Sequence, residues 1–278
     1  MDRYLIDDIP ERLVYHSMIT VSKSLIMYGG HVDSTRWFND DLWKYDTILR
    51  VWKKYPKPPN LIKTTYMSSI CAAGGLVYIF GYSSLHKPPS DINYLVSFDV
   101  GSEKWQELSS QTIIDDENNQ STFYGSSIVY FNESLYLFWG FDGSEYVNSI
   151  FKFCLHTLTW SRVQQNGQIP PHPGFRVFGT VFQDQYYCFG GTETLRTEKF
   201  KNVWVFDFSK NTWSIRKTSS KTQNFPCGRR NDEAFAFTGD CGYMSGGLDG
   251  TNFFDDIWKI DLKTLEWEEL KYVFGFND

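Results

Sequence analysis

The sequence lacks the features that would place the protein in a membrane or on a nucleic acid. Its 278 residues contain no run of about 18 apolar residues, the minimum for a bilayer-spanning helix. Lysine and arginine number 27 against 33 aspartate and glutamate residues, which leaves a net charge of −6 and no basic stripe. We therefore expect neither nucleic acid nor an anionic membrane surface as a partner.

Signals for secretion and for metal binding are also missing. Residues 1–8 are interrupted by charges and lack the apolar segment of a signal peptide, so we expect a cytoplasmic or nuclear protein. The five cysteines form no C-x-x-C pair, and none of the five histidines has metal-ligand spacing to another histidine or to a cysteine. We expect reduced cysteines that pack as small apolar side chains, and no cofactor.

Catalytic motifs are absent as well. No G-x-S-x-G, P-loop or Rossmann fingerprint occurs. Adjacent aspartate pairs do occur, among them those at residues 40–41, 115–116 and 255–256. The first and third pairs occupy equivalent positions of a repeat, which favours a role in a turn or at a solvated strand edge over acid–base catalysis. We expect the protein not to be an enzyme.

The strongest feature that is present is an internal repeat. Trp52, Trp105, Trp160, Trp213 and Trp267 recur every 53 to 55 residues. Six residues before each tryptophan stands an aspartate, except that the third unit has Cys154. A period near fifty residues is typical of a propeller blade or a solenoid unit.

Each repeat has the same strand pattern. An apolar run that ends in glycine precedes the aspartate, and these runs are residues 25–30, 76–81, 135–140, 186–191 and 242–247. A second strand of alternating pattern follows, as in residues 41–46. We expect the glycines to adopt positive φ, the aspartate to accept N–H bonds in a hairpin turn, and the tryptophan to pack on a neighbouring blade.

The glycine pair, the apolar strand and the D-x5-W element together resemble the kelch repeat over residues 12–270. The resemblance implies an all-β fold, a kelch β-propeller formed by residues 1–278 as a single domain. Its five four-stranded blades would cover about residues 12–55, 66–110, 123–165, 174–217 and 229–271. Either the five blades close directly or the chain is part of a six-bladed ring. Units two and three keep one glycine of the pair, so we expect looser turns there.

A partner site is expected at the start of the innermost strands, where a propeller lines its central channel. These segments, residues 12–16, 66–69, 123–127, 174–179 and 229–233, are rich in arginine, tyrosine and serine. Such residues combine aromatic area with hydrogen-bond donors and suit a peptide or protein ligand. The candidate residues are Arg12, His16, Tyr66, Tyr124, Ser126, Arg176, Arg229 and Arg230.

A narrower resemblance gives these residues roles. Residues 123–127, 134–138, 225–230, 246–250 and 256–259 are similar to the small kelch-domain-containing substrate receptors of cullin-RING ubiquitin ligases. The likeness implies that Arg176, Arg229 and Arg230 bind a C-terminal carboxylate. Tyr66 and Tyr124 would pack on the preceding ligand residues, and Ser126 would donate a hydrogen bond.

Other functions remain open at this point. The 278 residues contain no elongin- and cullin-binding box like that of those receptors, so we expect peptide recognition without ligase recruitment, or membership of a larger assembly. A cytoskeletal, actin-associated scaffold would need a broad face and no arginine pocket. A metal-dependent kelch enzyme would need a histidine, tyrosine or carboxylate cluster.

Overall fold

The computed structural model describes residues 9–32, 39–59, 61, 66–83, 92–110, 113–116, 119–121, 124–141, 145–168, 176–190 and 200–271. The chain divides into two compact units, Met1–Val163 and Gln164–Asp278, which are described separately. The described residues contain strands and turns and no helix.

The first unit contains three four-stranded antiparallel sheets, blades one to three. In chain order its strands are β1 (Leu13–Val14), β2 (Ser17–Val21), β3 (Ser24–Tyr28), β4 (His31–Val32), β5 (Leu42–Asp46), β6 (Val51–Tyr55), β7 (Tyr66–Ala73), β8 (Leu76–Ser83), β9 (Ile92–Asp99), β10 (Lys104–Ser109), β11 (Ile113–Asp116), β12 (Asn119–Ser121), β13 (Ser127–Phe131), β14 (Ser134–Phe141), β15 (Tyr146–Cys154) and β16 (Thr159–Arg162). The blades are β2–β3–β5–β6, β7–β8–β9–β10 and β13–β14–β15–β16, while β1 pairs with β4 and β11 with β12.

The second unit contains blades four and five. Its strands are β17 (Val177–Phe182), β18 (Gln185–Gly190), β19 (Asn202–Asp207), β20 (Thr212–Lys217), β21 (Ser219–Ser220), β22 (Ala234–Thr238), β23 (Cys241–Ser245), β24 (Leu248–Asp249), β25 (Asn252–Phe253), β26 (Ile257–Asp261) and β27 (Glu266–Leu270). Blade four is β17–β18–β19–β20, and blade five is β22–β23–β26–β27 with β21 added in parallel to β27. The expected five four-stranded blades are confirmed.

The apolar runs of the sequence form the middle strands because these strands are covered on both faces. In blade three, β14 is buried from Ser134 to Gly140, whereas the outer strand β16 is largely exposed. The buried side chains of neighbouring blades join in shared clusters. One such cluster combines Ile26 and Leu42 of blade one with Val77, Val96 and Phe98 of blade two. The core therefore lies between blades as well as within them.

The repeat tryptophans hold neighbouring blades together. Trp105 packs on Tyr28 of the preceding blade, with ring centroids 6.2 Å apart, and Trp160 packs on Phe80 at 5.8 Å. Trp267 is 1% exposed and donates its indole N–H to the Phe200 carbonyl at 2.9 Å. These three contacts confirm the predicted role of the tryptophan on the outer strand.

The repeat aspartates cap the hairpin between the third and fourth strands. The Oδ1 atom of Asp46 accepts N–H bonds from Ile48 and Leu49, both at 2.8 Å. The same pair of bonds recurs at Asp99, Asp207 and Asp261. Backbone hydrogen bonds lower the pKa of Asp46, Asp99 and Asp261, and the Ser209 hydroxyl is the largest contributor to the lowered pKa of Asp207.

Cys154 occupies the equivalent position in blade three and accepts the same kind of bonds. Its sulfur is bonded by the Thr157 hydroxyl and by the N–H groups of Thr157 and His156, which lower the pKa of the thiol. The N–H of Leu158 also donates to the Cys154 carbonyl at 2.8 Å. In blade one, the N–H of Arg50 donates to the Asp46 carbonyl in the same way. The turn therefore keeps its geometry with a sulfur acceptor.

The two blades with one glycine depart from the pattern in different ways. Trp139 of blade three stands in a glycine position and has a φ of +59°, with a register shift between Phe138 and Gly140. In blade two, β8 continues through Gly81 and stays paired with β9 as far as Ser83. The strands of both blades are kept, as expected. We expected a looser turn where Trp139 replaces the first glycine of the pair, but Trp139 adopts the positive φ of a glycine at this position.

The Trp267 contact predicts a large stability difference between two repeat tryptophans. Trp267→Ala removes a buried ring and its hydrogen bond, so the free energy of unfolding should fall by about 3–5 kcal/mol. Trp52→Ala, which removes a half-buried ring that packs on Tyr45 of its own blade, should cost clearly less. Urea unfolding followed by circular dichroism measures both, and equal losses would contradict the inter-blade role.

The turn at Cys154 predicts a pH-dependent gain. Cys154→Asp supplies a charged acceptor whose folded pKa lies below its unfolded value. Its stabilisation is therefore complete above the unfolded pKa of about 3.9 and is lost as the pH falls through the folded value. The urea midpoint should rise at about pH 7, and the rise should shrink at about pH 3. Cys154→Ala is the control, and a variant no more stable than the native chain at neutral pH would refute the prediction.

Candidate partner-binding site

The predicted partner-binding residues fall into two groups, one in each unit. Arg12, His16, Tyr66, Tyr124 and Ser126 belong to the first unit, and Arg176, Arg229 and Arg230 belong to the second. All of them lie on or just before the innermost strand of a blade.

In blade one, the candidate residues are exposed, and the loop that contains them lies against the turn at Gly30. Arg12 and His16 flank β1, and His16 Nδ1 lies 3.0 Å from the Leu13 carbonyl oxygen. Gly30 has a φ of +91°, and a side chain there would come within 2.8 Å of the Val14 carbonyl oxygen. The glycine pair is required here because the loop backbone passes directly against it.

Serine side chains connect the innermost strands of blades one to three. Ser17 donates its hydroxyl to the Ser68 carbonyl at 2.5 Å, and Ser69 donates to the Ser126 carbonyl. Ser126 is buried, and its own hydroxyl has no hydrogen-bond partner within the described part of the chain. The contact between blades uses the backbone carbonyl of Ser126, and the predicted role of its hydroxyl as a donor to a ligand stays a prediction.

The two tyrosines of the first group differ in what the structure describes. Tyr124 forms a two-way backbone bridge with Phe141, at 3.2 and 3.0 Å, and their rings meet edge to face at 5.4 Å. Tyr66 begins β7, and its backbone pairs with Tyr82. The side chain of Tyr66 lies outside the described residues.

Arg230 is buried and binds a carboxylate of its own blade. Its Nη1 and Nη2 atoms donate to the two oxygens of Asp256, both at 2.5 Å, and Nη1 also donates to the Gly246 carbonyl at 2.8 Å. The guanidinium lies 4.0 Å from the centre of the Phe254 ring. Burial tends to raise the pKa of Asp256, but hydrogen bonds from Arg230 and Trp258 outweigh it and lower the pKa.

This ion pair gives Arg230 a structural role that the sequence did not reveal. Its side chain is 0% exposed, and its planar guanidinium already holds a bidentate carboxylate. Asp256 belongs to an acid pair that sequence analysis placed at a turn or solvated edge. The equivalent residue of blade one, Asp41, pairs at 2.6 Å with Lys54, whose side chain is 46% exposed.

Arg176 and Arg229 are each paired with a carboxylate but stay accessible. Arg176 has a φ of +55° and an ion pair with Asp232, which connects the innermost-strand loops of blades four and five. Arg229 is 65% exposed, and its Nε lies 3.0 Å from Asp249. The Nη1 and Nη2 atoms of Arg229 have no hydrogen-bond partner among the described residues.

A hairpin beside these arginines presents an aromatic residue that sequence analysis did not select. Strands β24 and β25 pair Leu248 with Phe253, and Phe253 is 83% exposed. Asn231 forms two backbone hydrogen bonds with Leu248, each 2.9 Å, which attach the hairpin to the arginine loop. The D-G sequence at residues 249–250 was the available signal for this turn.

The described residues form no cluster of metal ligands, and two of the five thiols are buried. No group of three or more histidine, cysteine, aspartate or glutamate side chains comes together among them in a metal-binding arrangement. All five cysteines are free, and burial raises the pKa of Cys71 and Cys188. The described part of the chain also has no helix long and apolar enough to cross a membrane.

Five four-stranded antiparallel blades in chain order, with glycine turns and capped D-x5-W hairpins, define a kelch-repeat β-propeller. The KLHDC2/KLHL20/DRC7 Kelch-repeats domain matches residues 114–275, which is more than half of the chain, and the chain belongs to this family. Membership favours a protein-interaction module over an enzyme.

Several curated proteins are similar over most of the chain. Kelch domain-containing protein 10 of Rattus norvegicus is 24% identical over 268 residues, covering 92% of this chain and 64% of its own length. The Homo sapiens protein of that name is also 24% identical, with 59% of its length covered. The Rab9 effector protein with kelch motifs of Bos taurus is 28% identical over 67% of this chain and 47% of its own length. The chain thus spans about 60% of the length of the first two relatives.

The buried ion pair predicts unequal costs for two equivalent acids. Asp256→Asn removes the carboxylate that accepts two hydrogen bonds from the buried Arg230 guanidinium, so we expect a loss of about 3–5 kcal/mol in the free energy of unfolding. Asp41→Asn removes a pair whose lysine, Lys54, is 46% exposed, and it should cost no more than about 1 kcal/mol. Urea titration measures the free energy of unfolding of both variants. An Asp256→Asn variant as stable as the Asp41→Asn variant would contradict the structural role of Arg230.

Proposed function

We propose that this protein is a non-enzymatic recognition module that binds a peptide or protein segment at the start of its innermost strands. The ligand carries a free carboxylate, which Arg229 receives with its two terminal nitrogens. The accessibility of this guanidinium carries the proposal, because Arg230 is already committed to Asp256. Arginine binds carboxylates in a bidentate geometry that lysine does not reproduce.

Arg176 provides a second cation for the same ligand. Its ion pair with Asp232 is partly exposed, with 24% of the arginine side chain and 43% of the aspartate side chain accessible. A ligand carboxylate that approaches Arg176 would take the place of Asp232, whose side chain is 43% exposed. Asp249 and Asp232 hold the two arginines in place before the ligand arrives, which lowers the entropy cost of binding.

Phe253 supplies apolar area for the ligand residues near the carboxylate. The β24–β25 hairpin is tied to the arginine loop by the Asn231–Leu248 bonds and by the Arg229–Asp249 ion pair. An exposed aromatic side chain on this hairpin suits a binding hot spot. Because the hairpin is already held in place, binding costs little conformational entropy.

The ubiquitin-ligase role is the finer part of the proposal. The resemblance of residues 225–230 and 246–250 to substrate receptors of cullin-RING ligases supports it, and it requires an elongin and cullin assembly. A relative described as a Rab9 effector supports the coarser idea of a protein partner. Among the described residues, no cluster of histidine, cysteine, aspartate or glutamate side chains favours a metal-dependent enzyme.

The carboxylate contact is tested with peptides that have either a free or an amidated C-terminus. Peptides selected from a library with free C-termini should bind, and amidation should weaken them at least about tenfold. Arg229→Ala should cause a similar loss with unchanged thermal stability. Lys221→Ala removes a comparably exposed cation that pairs with Glu266, and it should have no effect.

Two results would contradict the proposal. If selected peptides bind equally well after amidation, the site does not read a terminal carboxylate. If amidation matters but Arg229→Ala and Arg176→Ala bind normally, the carboxylate is received elsewhere.

A further inference from the structure

The turn between β5 and β6 of blade one exposes apolar side chains. Ile48 is 63% exposed, Leu49 is 70% exposed, and Val51 at the start of β6 is 41% exposed. Burying such side chains against a partner is favourable, and leaving three together in water is uncommon away from binding surfaces.

The fold does not require apolar residues at this turn. Ile48 and Leu49 hold Asp46 only through their backbone N–H groups. The equivalent residues in the other four blades make the same backbone bonds with small or polar side chains: Gly101 and Ser102, His156 and Thr157, Ser209 and Lys210, and Lys263 and Thr264. The repeat is therefore an internal control, and blade one departs from it.

The charged residues around this turn also distinguish blade one from the other blades. The neighbouring turn between β2 and β3 contains Lys23, whose carbonyl accepts bonds from Thr47 at 3.1 and 2.8 Å. Lys23 and Arg50 are exposed, and neither has an ion-pair partner among the described residues. In the other four blades, the corresponding pair of turns contains an acid, namely Glu103, Glu133, Asp184 and Asp240, and the turns of blades four and five contain Lys210 and Lys263 as well.

The turn is also held rigidly before any partner binds. Besides the two N–H bonds to the Asp46 carboxylate, the Arg50 N–H bonds to the Asp46 carbonyl at 2.8 Å. Lys53 and Tyr55 of β6 both bond to Glu103 of blade two, at 2.7 and 2.5 Å. A partner would therefore meet a preformed surface, which reduces the ordering cost of binding.

We propose that Lys23, Ile48, Leu49, Arg50 and Val51, the blade-one turn patch, dock an acidic segment of a partner protein that carries apolar side chains between its carboxylates. The two cations meet the carboxylates, and the three apolar side chains bury their counterparts. Charge complementarity supports this occupant, because the patch is basic on a chain whose net charge is −6. The patch is separate from the proposed carboxylate site in the second unit.

The experiment selects a phage-displayed random peptide library on the purified chain and measures synthetic copies of the enriched peptides by fluorescence anisotropy. Enriched peptides should contain apolar residues flanked by aspartate or glutamate. Ile48→Ser with Leu49→Ser, each a residue that another blade has at the equivalent position, removes the apolar side chains without adding charge and should weaken these peptides at least about tenfold. Lys23→Glu with Arg50→Glu should weaken them similarly, and higher salt should weaken binding to the native chain.

Matched variants keep the test specific. Ser209→Ile with Lys210→Leu places the apolar pair in blade four without the cations and should not create a second site. Arg229→Ala and amidation of the peptide should leave binding to the patch unchanged, which separates this proposal from the carboxylate site.

Three outcomes would overturn the proposal. The first is a selection that yields no acidic–apolar sequence. The second is enriched peptides that bind the Ile48→Ser/Leu49→Ser variant as well as the native chain. The third is sedimentation that shows a dimer of the native chain which this variant abolishes, in which case the occupant is a second copy.

Discussion

Contact between neighbouring blades is the constraint on which the structure depends. A four-stranded sheet whose middle strands are apolar on both faces cannot cover itself, so each blade needs a neighbour. The clusters that join Ile26 with Val77 and Tyr187 with Met244 supply this cover. The repeat tryptophans fix the spacing, since Trp105, Trp160 and Trp267 lie at such contacts. The remaining features of the repeat hold the hairpins in the shape that these contacts require.

The capped turns show how much variation the repeat tolerates. What the turn needs is an acceptor for two N–H groups, and the carboxylate of Asp46 and the sulfur of Cys154 both provide it. Because these bonds come from the backbone, the side chains of the turn residues are free to vary. Ile48 and Leu49 can therefore serve a surface role without disturbing the blade.

The sequence predicts the fold well because the repeat marks are local. The D-x5-W spacing defines a hairpin of a few residues. It also places a tryptophan on the outer strand, and burial of this large ring explains why Trp267 packs against the neighbouring blade. The sequence predicts the site less well. The Arg230–Asp256 pair joins residues on different strands, and no local pattern indicates that a buried arginine will find that acid. Exposure is likewise a property of the folded chain, so neither Phe253 nor Ile48 could be selected from the sequence. Trp139 shows that tertiary packing can impose a left-handed turn on a bulky residue.

Hydrogen–deuterium exchange with and without a selected free-carboxylate peptide is the most direct test of partner recognition at the start of the innermost strands. Protection on binding should be concentrated at the N–H groups around Arg176, in residues 229–232 and in residues 248–253, with little change on the outer strands β20 and β27. Protection confined to the outer strands, or an absence of protection in residues 229–232, would contradict the account.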